Sequence, residues 1–286
     1  MTSRLRDSTR LRERLRLAEG PVNLLGYPAD GTPLAPGGKA RTKRELERVG
    51  PLLAEQQEML FAAGTTGDPR RVLLVLQGTD TSGKDGVIKH VVGQVGPSAV
   101  RITAFKRPTP DEAAHHFLWR IRRALPPAGV IGVFNRSHYE DVLAPRVHGD
   151  LDEEAWLRRI AEINEFEAEL ATAGTAILKC YLHIGYAEQR QRLLDRLADP
   201  TKQWKFNPAD LAERARWPDY EACYAQVLER TSSAVAPWYV VPSERKWYRN
   251  WAIGQLLAAT LVDLQLSYPA PNFDVAEMQA RLQPPH

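Results

Sequence analysis

The sequence predicts an α/β protein in which a parallel sheet is covered by helices on both faces. Three observations carry this expectation. Apolar runs of strand length at residues 72–76, 129–134 and 175–184 are nearly continuous, without the alternation of a sheet that keeps one face in water. Longer segments with helical period separate them. The first run leads straight into Gly78-Thr79-Asp80-Thr81-Ser82-Gly83-Lys84, a glycine loop placed between a strand and a helix.

Residues 1–17 are charged and helix-compatible, and read as an arm rather than a core. Residues 21–38, rich in Pro and Gly, should run over the surface. A helix over 43–63 follows from the apolar face of Leu46, Val49, Leu52, Leu53 and Leu60. After Gly67-Asp68-Pro69 the chain alternates: strand 72–76, helix 83–95, strand 99–105, helix 110–125, buried strand 129–134, and a long helix at 153–173. Strand 175–184 and helix 186–197 come next, then helix 218–231, a short strand at 238–241 and a closing helix at 246–266. The Pro-rich stretch from Pro269 reads as a loosely packed terminus. The implied organisation is an arm and helix over 1–66, a core over 67–268 with a lid at about 198–217, and a tail over 269–286. A parallel sheet binds its ligand at the carboxyl ends of its strands.

A chain of 286 residues can bury a substantial core as one large domain or two smaller ones. Its net charge of +3 is too mild to name nucleic acid as a partner, yet Arg and Lys recur around the glycine loop, as a polyanionic substrate requires. Cys180 and Cys223 make no disulfide framework and show no metal-ligand spacing. No apolar run approaches a membrane span, and the Arg-rich beginning has no apolar signal core. A cytoplasmic setting without a membrane partner is the expectation.

The loop is the first chemical element. Gly78 and Gly83 let the backbone turn so that the amides around Thr79, Thr81 and Ser82 converge on phosphate oxygens. A helix beginning near Gly83 adds its positive end, and Lys84 a mobile charge. Asp85 stands where such loops usually carry the Ser/Thr that holds magnesium, and Asp80 lies inside the loop. An acid in an anion cradle repels unless a cation mediates, so Asp80 suggests a metal-bridged polyphosphate ligand.

A second constellation, Asn135-Arg136-Ser137-His138-Tyr139-Glu140-Asp141, emerges where the third strand ends and points at the crevice beside the loop. Arg136 can neutralise phosphate through its planar fork, and Glu140 and Asp141 are the acids available to approach magnesium. Ser137 and Tyr139 suit either the site or the tying-down of the loop. His138 has no partner at ligand spacing and is read as packing. In the third segment, residues 192–217, basic and aromatic residues interleave, with Arg196, Lys202, Lys205 and Arg214 among Trp204, Phe206 and Trp217. A flap that carries charge over bound phosphates fits this pattern, and so does a solvated helical hairpin pinned by its aromatics.

Together these blocks, with Ala236-Pro237-Trp238-Tyr239-Val240-Val241-Pro242 and Lys246-Trp247 downstream, resemble the family-2 polyphosphate kinases, over about residues 21–263. The resemblance implies a P-loop kinase fold related to thymidylate kinases, a helical lid, Mg2+ dependence, and a homodimer or homotetramer. It implies phosphate or metal roles for Asp80, Lys84, Arg136, Arg196 and the lid cations. Some branches carry Asp where this chain has Asn135, which shifts the metal-binding expectation to Asp80 and Asp141. The His138-Tyr139-Glu140-Asp141 variant is similar to the branch that phosphorylates both AMP and ADP, with Glu140 holding a water or ion in place of a missing phosphate. The expected partners are inorganic polyphosphate and adenine nucleotides. Two other readings are an ATP-dependent nucleoside monophosphate kinase of thymidylate-kinase type, which the acids of the loop disfavour, and a non-catalytic polyphosphate-binding module, which would not need Lys84 and the acids.

Overall fold

The computed structural model describes residues 2–283. Its centre is a five-stranded sheet in the order β2-β3-β1-β4-β5, with β1 Arg71–Gln77, β2 Val100–Ala104, β3 Ile131–Asn135, β4 Thr175–His183 and β5 Trp238–Pro242. Every pairing is parallel. The continuous apolar run of β1 is explained by its two faces. Val72, Leu74 and Leu76 enter one core, which holds α2 (Lys39–Thr65), α3 (Lys84–His90) and α11 (Lys246–Asp263). Leu73 and Val75 enter the other, with α5 (Trp119–Ala124), α7 (Glu153–Thr172) and α10 (Trp217–Thr231). This is the P-loop kinase fold the sequence predicts.

The helical segments differ from expectation in several places. The helix expected at 110–125 is divided into α4 (Pro110–Ala113) and α5. Thr109 and Glu112 form a capping box on α4, and the His116 ring then takes the Leu118 amide at 3.4 Å, competing with the helical ladder. The helix expected at 83–95 stops at His90 and passes into a single 3-10 turn at Val92–Gln94. An additional helix, α6 (Glu140–His148), follows β3 with Pro145 inside it. Proline removes the amide that would meet the Asp141 carbonyl, and Arg159 donates to that carbonyl at 2.7 Å instead.

The segment read as an arm includes α1 (Thr2–Leu15), whose Leu11 and Leu15 are buried in the α2–α11 core. Beyond it Leu17 donates its amide to Trp238 O at 2.9 Å, and Arg16 bridges antiparallel to Tyr239, so this stretch lines the β5 edge. The remaining elements are α8 (Tyr186–Ala198), α9 (Ala209–Ala215) and α12 (Val275–Arg281). Among the described residues no helix is long and apolar enough to cross a membrane.

Candidate active site

The carboxyl ends of β1 and β3 and the second half of α8 converge on a cleft of about 790 Å³. Its floor is the loop after β1. Gly78 and Gly83 have φ of 148° and 105°, and Thr81 also takes a left-handed φ of 61°. Lys84, the first residue of α3, curls back and donates from Nζ to the carbonyls of Gly78 (2.8 Å) and Thr79 (3.1 Å) and to Ser82 Oγ (3.4 Å). Burial, reinforced by the nearby Arg136 charge, pushes its ammonium down to about 8, against the pull of Glu140, Asp80 and Asp85. The buried hydroxyls of Thr79 and Thr81 have no hydrogen-bond partner among the described residues. Polar atoms left open in a glycine loop suit a ligand that accepts hydrogen bonds.

From β3 comes Arg136, which has φ 63° and donates its amide to Leu76 O at 3.0 Å, so the turn is locked to β1. Its guanidinium reaches the cleft with Glu140 Oε2 at 2.7 Å behind it, and that carboxylate holds its pKa above the ordinary arginine value. Gln77 donates to Glu140 Oε1 at 2.5 Å, and Ser137 Oγ donates to Gln77 Oε1 at 3.3 Å. The next layer down is a closed network: Lys179 bonds Glu167 Oε2 (2.5 Å), Tyr139 Oη (2.9 Å) and Thr231 O (2.7 Å), while Tyr139 and His138 also meet Glu167. Burial works against the Glu167 carboxylate, but the Lys179 and His138 charges prevail and hold its pKa down. His138 and Tyr139 thus anchor the turn that presents Arg136.

From α8 comes Arg196, which donates to Lys205 O at 3.1 Å and stands 3.5 Å from Asp80 and 4.0 Å from Asp210. These ion-pair distances are long, so the charge remains available to a closer anion. Lys202 and Lys205 approach the cleft from the segment after α8.

The structure therefore gathers Asp80, Thr81, Gly83, Lys84, Asp85, Arg136, Arg196, Lys202 and Lys205 around one cleft. Gly78, Thr79 and Ser82 form its backing through the bonds to Lys84. Glu140 stands behind Arg136. Asp141 is not among the residues lining the cleft. It lies in the first turn of α6 and faces α5, where Arg120 Nη2 meets its carboxylate at 2.9 Å; burial raises its pKa despite that pairing. Arg214 also lies off the cleft, stacked 3.5 Å from the Tyr186 ring and donating to Gln189 Oε1 at 2.6 Å.

Five cations that line the cleft escaped the sequence reading of the site: Lys106, Arg107, Arg192, Lys246 and Arg249. Two signals could have found them. Lys106 and Arg107 directly follow a parallel strand at its carboxyl end. Lys246 and Arg249 put positive charge into the first turn of a helix, where the dipole disfavours it. With them the lining holds ten Lys and Arg against three Asp, a strongly cationic surface.

Among the described residues no group of three or more His, Cys, Asp or Glu is arranged to hold a metal ion. Magnesium does not need such a cage, because it is commonly held by one or two carboxylates together with substrate phosphates and water. Asp80 and Asp85 both line the cleft and suit that donor set; Asp85 is held in place by Asn135 Nδ2 at 2.8 Å.

Fold and cleft define a P-loop phosphotransferase. The family model described as Polyphosphate kinase 2 (PPK2) matches residues 38–267. An AMP/ADP-polyphosphate phosphotransferase of Meiothermus ruber is 43% identical over 254 residues, 89% of this chain and 94% of that protein. An ADP-polyphosphate phosphotransferase of Rhodopseudomonas palustris is 42% identical over 229 residues, 76% and 78% of the two chains. The crystal structure of Polyphosphate Kinase 2 from Arthrobacter aurescens TC1 superposes with a TM-score of 0.93 at 48% identity, covering 95% of this chain and 96% of that one. The chain belongs to the polyphosphate kinase 2 family.

Proposed function

We propose that this protein transfers the terminal phosphoryl group of inorganic polyphosphate to ADP and AMP, reversibly. The observation that carries the proposal is the cationic lining, which continues from the glycine loop past Arg196 to Lys202 and Lys205 and suits a donor with many phosphates. The relatives named for polyphosphate and AMP or ADP support the same pair of substrates.

In the reaction the bond from the bridging oxygen to the terminal phosphorus breaks, and a bond from an acceptor phosphate oxygen forms. No general base is required, because that acceptor oxygen is already ionised at neutral pH. The transition state spreads charge over three equatorial oxygens, so the work is alignment and charge compensation. Loop amides and Lys84 grip the phosphates near the cleaved bond, and Arg136 and Arg196 face the migrating group. The segment from about 198 to 217 acts as the lid, bringing Lys202 and Lys205 over the donor and excluding water. Magnesium, the implied cofactor, supplies charge neutralisation on donor and acceptor oxygens when bound, and Asp80 and Asp85 are the residues that would hold it. The two thiols are free, which supports a reducing, cytoplasmic location, and the family resemblance supports a homodimer or homotetramer.

The test is luciferase-detected ATP formation from polyphosphate and ADP in ATP-free reagents, with ADP formation from AMP followed separately. Robust rates with both acceptors are expected. A protein that phosphorylates AMP only when ATP is supplied would be a monophosphate kinase, and one that binds polyphosphate without turnover would be a binding module.

A further inference from the structure

Besides Lys84, one further cation of the cleft is buried without a carboxylate ion pair among the described residues, and it comes from a different element. Arg249 lies in the first turn of α11, is only 3% exposed, and among the described residues is paired with no carboxylate. Its Nη1 donates to Ser82 O at 3.2 Å, and its Nε and Nη2 donate to the neutral Asn250 Oδ1 at 3.1 and 2.9 Å. Buried Arg192 provides the contrast: it is paired with Glu188 at 2.7 Å. Burial and the neighbouring Arg192 push the Arg249 guanidinium down to about 9.

The glycine loop is shaped around this side chain. A Cβ on Gly83 would stand 1.7 Å from Arg249 Nη1, and one on Gly86 would stand 2.5 Å from Nη2. Gly83 needs its left-handed φ in any case, but Gly86 sits inside α3 with no such need, and alanine there would favour the helix. The guanidinium accounts for that second glycine.

We propose that Arg249 is a positioning residue for phosphoryl transfer, a buried guanidinium that orients the loop through the Ser82 carbonyl and whose charge is neutralised by the polyphosphate bound above it. The proposal rests on the reading that the loop cradles phosphate. A buried charge without a partner is costly, and a bound anion at the cleft removes that cost, so donor binding and loop order are coupled through this one side chain.

The test uses the whole protein and inorganic tripolyphosphate as the probe. Thermal unfolding with and without tripolyphosphate, and steady-state kinetics, are measured for wild type, Arg249→Met, Arg249→Lys and Gly86→Ala. Arg249→Met should keep its ligand-free melting temperature, lose more than half of the tripolyphosphate-induced rise, and lose at least ~10-fold in kcat/KM for polyphosphate, because a displaced loop no longer aligns the phosphates. Arg249→Lys should recover part of both, having the charge without the fork. Gly86→Ala presses on the same guanidinium without removing it, and should lower the tripolyphosphate effect while the ligand-free protein melts no earlier. A full tripolyphosphate rise in Arg249→Met, or in Gly86→Ala should the first variant not fold, overturns the proposal. Absence of any rise in wild type would instead remove the phosphate reading on which it rests.

Discussion

Replacing Lys84 by methionine should separate stability from activity. The side chain keeps its length and loses its charge. Burial brings the Lys84 ammonium from 10.5 to about 8, which corresponds to about 3 kcal/mol spent on holding it charged at neutral pH. Against this stand its bonds to two carbonyls and a hydroxyl, each worth about 1.5–3 kcal/mol for a charged donor. The two contributions oppose one another, so urea unfolding at pH 7 should find the variant less stable by only their difference, about 1.5 kcal/mol at the lower end of the hydrogen-bond range. Turnover should nevertheless fall by ~10²-fold or more, the usual loss for one electrostatic stabiliser in a closed site. The pH dependence adds a second signature. The unfolded chain holds the Lys84 proton up to its ordinary pKa while the native protein releases it near 8, so wild-type stability gains from this residue as pH rises between the two values. The variant should lack that gain. Wild-type kcat/KM for polyphosphate should decline above about pH 8 as the free enzyme loses the ammonium. Near-normal turnover in Lys84→Met, with unaltered polyphosphate affinity, would refute the phosphate-cradle reasoning.

Three further outcomes are expected. Asp80→Asn should raise the magnesium concentration needed for half-maximal rate, and a titration that overlays wild type would remove Asp80 from the metal. Proteolysis between Lys202 and Arg216 should slow when tripolyphosphate and magnesium are added together; unchanged cleavage would favour a packed hairpin over a lid. Glu140→Asn should depress AMP phosphorylation while ADP phosphorylation largely survives, measured as separate initial rates. Equal losses with both acceptors, accompanied by a fall in melting temperature, would reduce Glu140 to the brace behind Arg136.

The sheet was legible because its strands bury both faces, and a run such as Val72 to Leu76 has no amphipathic alternative. The glycine loop was legible because its chemistry is local in sequence: strand, turn, Lys84 and helix are consecutive. Two kinds of information were not. Pro145 hid α6, since the compensating bond to the Asp141 carbonyl comes from Arg159, 18 residues beyond Asp141. Asp141 looked like a cleft residue by its position after β3, but the partner that decides its direction, Arg120, lies on another helix. Arg249 was hidden for the same reason: only in three dimensions does its guanidinium meet Gly83 and Gly86.

The contacts of residues 8–17 also bear on how the chain is made. Leu11 and Leu15 of α1 pack in the core with α11, and Leu17 bonds to Trp238 on β5. During synthesis these leucines leave the ribosome well before the surfaces that bury them. The loop closed by the Leu17–Trp238 bond spans most of the chain, and contacts of that separation form slowly. Until they form, the free side of β5 and the apolar face of α11 stand open to other chains, the condition under which strand edges aggregate. Residues 11–17 thus act as a late-closing latch, and slow translation of the segment before β5 would lengthen the interval in which it waits.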